Sequence, residues 1–364
     1  MNKILFKIHR VVAFILCLPL LLICLSGSVL VFKYELDSSL MPEHVSVVPA
    51  ASVRQPFDTL LSTLNSHYPH YEVTGWQVFT DPNRADLVYV MAHGGSDWSS
   101  LFVDPYSATA LSPPRPPQYY FSDALREFHY QFLMKDNGLF ICAVIAVLMC
   151  LQALTGLILH RKFWKVLFTF RHRARPIIYL GDTHKMVGVL ASPVLLVLGV
   201  TGAYWNVSQL IYSAGQPLSE PYIVGSRLYN STISLDALVA DGRQKLPGFT
   251  LSFISLPSKP GYAISLMGKV ENQNALYSEF ANTLSYNAQS GEFMAVRDIR
   301  EAAIDKKITN SFRRLHFGDF AGLASRLIWA LVGLSPLVLV LSGLSMYYLR
   351  RPVRKRAADK RKQR

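Results

Sequence analysis

Cysteine is scarce in this chain, and its placement excludes a disulfide scaffold. The 364 residues contain four, Cys17, Cys24, Cys142 and Cys150. All four lie in apolar runs, no C-x-x-C pair exists, and the long polar stretches contain none. The thiols therefore read as small packing residues. Acidic residues are also few: 24 Asp and Glu stand against 37 Lys and Arg, a formal net charge of +13. No G-x-G-x-x-G or P-loop is present, so there is no recognisable nicotinamide, flavin or ATP site. The lack of a C-x-x-C-H stretch argues against covalent c-type attachment of haem.

Charge is missing altogether from four long segments, 11–32, 138–159, 186–205 and 327–349. About 20 helical residues at ~1.5 Å each cross the ~30 Å hydrocarbon layer of a membrane. Each segment is long enough to cross once and none to cross twice. The chain is 51% apolar and 17% charged, with mean hydropathy +0.22. That is too apolar for a soluble enzyme and too polar for a membrane bundle alone. The first segment follows a basic start, as a signal peptide does. It is too long for an h-region and no A-x-A site follows, so it is expected to remain as an anchor.

The cations cluster at the ends of these segments. Lys3, Lys7 and Arg10 precede the first. Arg161, Lys162, Lys165, Arg171, Arg173 and Arg175 separate the second from the third, and a basic tail from Arg350 to Arg364 follows the fourth. All fall on one side if the N-terminus is cytoplasmic, as the positive-inside rule requires. The basic charge is then expected to meet anionic lipid rather than nucleic acid. Four spans put both termini in the cytoplasm and send residues 34–137 and 206–326 to the other side. Those stretches read as small α+β units. Strands are expected at 73–79, 87–92, 99–103, 250–256, 261–267 and 282–287, short helices at 60–65 and 235–239, and a stiff polyproline linker at 112–117. Ser122 is the expected N-cap of a helix over 122–135, broken by Asp136-Asn137-Gly138; a similar helix is expected over 308–317.

Chemistry enters with histidines at the mouths of the spans. His9 precedes Ser26-Gly27 by 17 residues (26 − 9), and His184 precedes Thr201-Gly202 by 17 (201 − 184). His129 precedes Thr155-Gly156 by 26 (155 − 129), and His316 precedes Ser342-Gly343 by 26 (342 − 316). Each histidine has a cation close in sequence: Arg10, Lys185, Arg126 and Arg313 respectively. The matched spacings pair the first span with the third and the second with the fourth, a parallel duplication about an axis along the membrane normal. Such an axis brings His9 towards His184 on the cytoplasmic side and His129 towards His316 on the other. A single interfacial histidine is ordinarily a polar anchor, but two facing imidazoles suit the axial positions of a haem iron. Zinc would want four ligands. The reading is therefore two non-covalent, bis-histidine b haems, with Arg10, Lys185, Arg126 and Arg313 as propionate partners. The small Ser/Thr-Gly pairs let helices approach each other or a flat ligand closely. His160 has no histidine in the matching place, which holds Tyr347; it reads as an interfacial residue or a reserve ligand.

His9-Arg10, His184-Lys185 with Gly188, and the run Leu315-His316-Phe317-Gly318-Asp319 resemble the recurring motifs of the PepSY-associated transmembrane proteins. Val103-Asp104-Pro105-Tyr106 and the stretch 285–293, with Ser290-Gly291, look like PepSY strand-turn signatures. Ser107-Ala108 departs from the Thr-Gly turn frequent there. The resemblance covers nearly the whole chain. It implies an α-helical integral membrane protein of the bacterial inner membrane, a four-helix transmembrane bundle from two repeated halves with two exported α+β, PepSY-like loop domains. The expected division is 1–33 (cytoplasmic N-terminus and first span), 34–137 (first exported domain), 138–160 (second span), 161–185 (basic cytoplasmic loop), 186–205 (third span), 206–326 (second exported domain), 327–349 (fourth span) and 350–364 (basic cytoplasmic tail). It further implies a haem-dependent ferric-siderophore reductase of iron uptake. Electrons would pass from a quinol or a cytoplasmic reductase to a periplasmic ferric siderophore. The rival expectation is a non-enzymatic, membrane-anchored protein whose loops bind or regulate a periplasmic partner. A metal transporter is disfavoured, because no span carries a carboxylate or imidazole at its middle.

Overall fold

The computed structural model describes residues 3–49, 53–162, 168–169, 171, 173–215 and 222–362, with side chains to residue 350; Lys165, His172 and Arg364 lie outside the described residues. In chain order the helices are α1 (Lys3–Leu16), α2 (Pro19–Leu30), α3 (Lys33–Leu40), α4 (Pro42–Val45), α5 (Phe57–His67), α6 (Phe121–Gln131), α7 (Lys135–Leu159), α8 (Pro176–Gly215), α9 (Leu235–Lys245), α10 (Ile304–Phe317), α11 (Gly322–Gly333) and α12 (Ser335–Lys362). The strands are β1 (Tyr71–Gln77), β2 (Asp86–Ala92), β3 (Trp98–Val103), β4 (Thr250–Ser255), β5 (Ile264–Lys269), β6 (Asn282–Tyr286) and β7 (Phe293–Arg297). The chain divides into a helical unit (1–32, 125–216 and 315–364) and a loop unit (33–124 and 217–314).

In the helical unit, α7, α8 and the α11–α12 run Gly322–Arg350 are each long and apolar enough to cross a membrane. The first expected span, 11–32, is not one straight helix. It is α1 and α2, bent by 64°. The bend precedes Pro19, at the first turn of α2, where the ring and the missing N–H cannot continue α1. Buried Val12, Leu16, Leu20 and Cys24 of α1 and α2 pack with Ile145 and Met149 of α7 and Ala191 and Leu195 of α8. The α7–α8 approach depends on Gly199, where a Cβ would come within 2.6 Å of Cys150 Sγ.

Two boundaries differ from expectation. Ser122 is not an N-cap. It lies inside the first turn of α6, and its hydroxyl accepts a hydrogen bond from Lys33 Nζ at 2.8 Å. Asp136-Asn137-Gly138 does not break a helix but starts α7; the break is at Phe132 and Leu133, whose φ values of 49° and 60° leave the helical region. Gly138 is needed for a different reason than a turn: a Cβ there would collide with the Gln131 carbonyl.

The two long loops do not make two separate domains. They build one antiparallel sheet of seven strands in the order β3-β2-β1-β4-β5-β6-β7. Each loop supplies a helix followed by a meander, and the meanders join where β1 pairs with β4 at Gly75↔Ser255, Trp76↔Ile254 and Gln77↔Phe253. Pairing hides two edges that separate domains would leave open. Trp76 and Ile254 are fully buried at this seam. The six expected strands are present within a few residues, whereas β7 was missed because all five of its residues are exposed and show no alternation. The expected free linker at 112–117 instead meets the β3 edge, with Ser100 and Arg115 exchanging backbone hydrogen bonds at 2.8 and 2.9 Å.

The seam is locally two-fold. Asp236 accepts the backbone N–H groups of Phe57 and Asp58, the latter at 2.9 Å across 178 positions. Asp58 in turn accepts from the Leu235 N–H at 2.7 Å and from the Ser234 hydroxyl. Val78 N–H donates to the Ser252 carbonyl at 3.0 Å, and Leu256 N–H donates to the Thr74 carbonyl at 3.0 Å, the same bond in each half. α5 and α9 thus cap each other's first turns with carboxylates, where helix N-termini favour negative charge. Asp58→Ala and Asp236→Ala are each expected to destabilise the loop unit by about 1 kcal/mol, with the double substitution costing less than the two separately. Thermal melts of the full chain followed by circular dichroism check this.

Candidate functional site

Each of the four span-mouth histidines is held by a hydroxyl of a Ser/Thr-Gly pair, and the pairing is crossed within each half. His9 on α1 meets Thr155 Oγ1 on α7 through Nδ1 at 2.9 Å, while His129 on α6 meets Ser26 Oγ on α2 at 3.1 Å. In the second half, His184 on α8 meets Ser342 Oγ on α12 at 2.9 Å, and His316 on α10 meets Thr201 Oγ1 on α8 at 2.7 Å. The four hydroxyl residues are buried.

The direction of these bonds is set by the helices. A hydroxyl has one hydrogen to give. Thr155 gives it to the Leu151 carbonyl at 2.7 Å, Ser26 to Leu22 at 2.8 Å, Ser342 to Val338 at 2.6 Å and Thr201 to Val197 at 2.8 Å. Each is the i−4 bond open to Ser and Thr inside a helix. With its hydrogen on that carbonyl the hydroxyl oxygen accepts from the imidazole, an arrangement that puts the proton on Nδ1 and leaves Nε2 its lone pair. At His129 the assignment has a carbonyl behind it, since Nδ1 also faces the Ile23 carbonyl at 3.0 Å, which can only accept. The neutral Nδ1–H tautomer is the one that ligates a metal through Nε2.

The glycine after each hydroxyl residue lies against the ring, and of the four only Gly27 has no space for a Cβ. A Cβ on Gly156 would sit 3.5 Å from His9 Cε1, one on Gly202 3.6 Å from His316 Cε1, and one on Gly343 3.6 Å from His184 Cε1. On Gly27 it would lie 2.7 Å from His129 Cε1, closer than any real contact.

His129 and His316 come together with ring centroids 6.2 Å apart, and Trp205 stacks edge-on against His316 at 5.1 Å. His9, His184 and His160 are electrostatic neighbours, so the unmatched histidine at the end of α7 belongs to the same cluster as the first pair. Gln152 Nε2 lies 3.1 Å from His9 Nε2. Among the described residues no three His, Cys, Asp or Glu side chains converge on one point as a bare metal ion would need.

The four cations are placed differently from one another. Arg10 is half-buried on α1, and Lys185 lies 4.0 Å from Asp182, which Arg171 holds at 2.8 Å. Arg126 is 3.8 Å from Glu127. Arg313 belongs to the loop unit and is engaged by Glu279 at 2.6 Å. Burial pushes the Glu279 carboxyl up, but the hydrogen bond and charge of Arg313 outweigh it and hold the group below its usual value. Sequence reasoning marked the Ser/Thr-Gly pairs only as close-packing devices. It missed their hydroxyls as histidine partners, although their fourfold recurrence was the available signal. It also missed Gln152 and Trp205, which have no such recurrence.

The family model described as PepSY-associated TM region matches residues 6–351. An uncharacterized protein of Pseudomonas aeruginosa is 24% identical over 255 residues, a match that covers 63% of this chain and 64% of that protein.

Gly27→Ala is expected to lower the melting temperature clearly and to displace the His129 ring, whereas Gly156→Ala and Gly343→Ala stay near wild type; melts and histidine 15N spectra of the full chain check this. The Glu279–Arg313 pair stabilises the fold above the ordinary glutamate value of about 4.3 and loses that contribution as pH falls through the lower folded value. Glu279→Gln is therefore expected to be less stable at neutral pH and to lose less stability on acidification, measured by denaturant unfolding across pH.

Proposed function

The chain belongs to the family of PepSY-associated TM regions, and from that premise we propose that it is a di-haem electron-transfer protein of the bacterial inner membrane. It would carry electrons from a quinol or a cytoplasmic reductase to a ferric siderophore on the far side. The carrying observation is the fourfold hydroxyl contact, which engages Nδ1 of each ring and leaves Nε2 as the nitrogen for ligation; at His9 the amide of Gln152 meets that nitrogen and would have to turn away for an iron to bind.

The residues fit the group on two counts. Nδ1 meets a hydroxyl at all four histidines, which leaves Nε2 as the nitrogen for ligation, and each ring lies against a glycine. His129 and His316, with ring centroids 6.2 Å apart, are the two imidazoles that would hold one haem.

When bound, haem b supplies a one-electron couple whose potential the surroundings tune. The chain's own part is ligation, orientation and charge balance. His9 and His184 serve one site, and His129 and His316 the other. Thr155, Ser342, Ser26 and Thr201 hold the rings and keep the proton on Nδ1. Arg10, Lys185 and Arg126 are the propionate partners. Arg313, the fourth cation of the sequence pattern, is engaged by Glu279 in the loop unit. Reduction of the ferric substrate weakens hard-oxygen chelation and needs no acid–base residue.

The purified chain is expected to show two b haems by pyridine haemochrome. His9→Ala or His184→Ala should remove one, and His129→Ala or His316→Ala the other. A dithionite-reduced spectrum without a b-type band ends this reading.

A second reading has one observation in its favour. β7 lies at the end of the sheet order with Phe293, Met294 and Val296 exposed, an edge suited to strand addition by a protein partner. In that case the loops act as an anchored binding module, and His316→Ala leaves function intact.

A further inference from the structure

The loop unit carries a charged cleft that the electron-transfer reading does not use. It encloses about 280 Å³, and both loops build it. Asn65 and Pro69 at the end of α5, Tyr71 and Glu72 on β1 and His93 after β2 come from the first loop; Arg227 and Ser231 come from the second. Backbone bonds lace the two loops together beside it. Gly94 N–H donates to the Val224 carbonyl at 2.7 Å, and Val224 N–H donates to the Gly95 carbonyl at 3.1 Å.

Glu72 is only 4% exposed, and burying a carboxylate is costly. The 178-residue step of the seam takes Glu72 to Thr250 (250 − 72), which is exposed. Both strands bulge at the matched place, Val73/Gly75 and Leu251/Phe253, so the correspondence holds residue by residue. The fold therefore does not ask for a buried carboxylate here. Both oxygens of Glu72 are engaged within the cleft: Oε1 accepts from Arg227 Nε at 3.1 Å, and Oε2 faces His93 Nε2 at 3.9 Å. The Arg227 guanidinium also lies over the Tyr229 ring, 5.0 Å from its centroid. Carboxylate and ring together hold Arg227 in one place. Its bond to Glu72 uses Nε, and among the described residues its two terminal nitrogens meet no acceptor. Asn65 and Ser231 add an amide and a hydroxyl to the same lining. The one carboxylate of the cleft is spent, and what it still offers is chiefly donors.

A ligand must therefore bring acceptors and negative charge. Arg227 is a single cation already shared with Glu72, so one negative charge suits it better than the two of a phosphate. The planar edge of a guanidinium matches the two oxygens of a carboxylate. Tyr71 and Pro69 give the cleft a ring and an apolar wall for a flat body. We propose that this cleft binds a carboxylate carried on a flat apolar body, an aryl carboxylate in its smallest form, with the Arg227 guanidinium as its anchor. The site goes beyond the haem reading and stands or falls without it.

Saturation-transfer NMR of the full chain in detergent, with the signal of empty micelles subtracted, tests it. Benzoate is expected to bind saturably at about 1 mM, and benzamide, which has the same shape without the charge, about tenfold more weakly. Arg227→Lys keeps a cation for Glu72 but loses the fork, and is expected to weaken benzoate about tenfold. Equal affinity for benzoate and benzamide, no saturable benzoate binding, or an unchanged affinity in Arg227→Lys overturns the proposal. Inorganic phosphate displacing benzoate better than acetate does overturns the carboxylate preference. Should Arg227→Lys fail to fold by circular dichroism, the double variant Asn65→Ala, Ser231→Ala carries the test, and an unchanged benzoate affinity in it overturns the site.

Discussion

A hydroxyl group can donate only once, and the helical unit is arranged around that limit. Ser26, Thr155, Thr201 and Ser342 each give their single hydrogen to the carbonyl one turn back in their own helix. What remains for the neighbouring imidazole is an acceptor, and this favours the same Nδ1–H tautomer at all four rings. The ring reaches the hydroxyl across a helix–helix contact, and at Gly27 the missing side chain is what permits that reach. Close packing and nitrogen chemistry are therefore set by the same two-residue motif.

The duplication has a consequence that spacing alone conceals. Histidines and hydroxyls counted along one half are not partners in the order counted. The first histidine of each half uses the hydroxyl of the second span, and the second histidine uses that of the first. Crossed pairing ties the two spans of each half together at two places. The loop unit follows the same logic in another form. Asp58 and Asp236 cap each other's helices, and the backbone bonds at the seam repeat at the same interval. The departures from two-fold likeness stand out against this background: Gln152 against Leu339, His160 against Tyr347, and the bent α1–α2 pair against the continuous α8.

Some elements were legible because their signals are local. Alternating and β-branched runs marked six of the seven strands, and long charge-free runs marked the membrane segments. Failures came where a neighbour overrides local preference. Ser122 looks like a cap, but Lys33 claims its hydroxyl. Asp136-Asn137-Gly138 looks like a turn, yet Gly138 is there to clear the Gln131 carbonyl. β7 shows no alternation because none of its residues is buried.

By itself the sequence determined what repeats: four charge-free segments, four histidines at two matched spacings, four Ser/Thr-Gly pairs and a cation near each histidine. Repetition is a property of order along the chain, so it survives without coordinates. Only the tertiary structure decided which hydroxyl serves which ring, that Arg313 answers to Glu279, and that the two loops share one sheet through β1 and β4. Those outcomes depend on contacts between residues more than a hundred positions apart for the rings and the sheet. Polar groups taken out of water must find partners wherever the fold places them, and linear spacing does not say where that is.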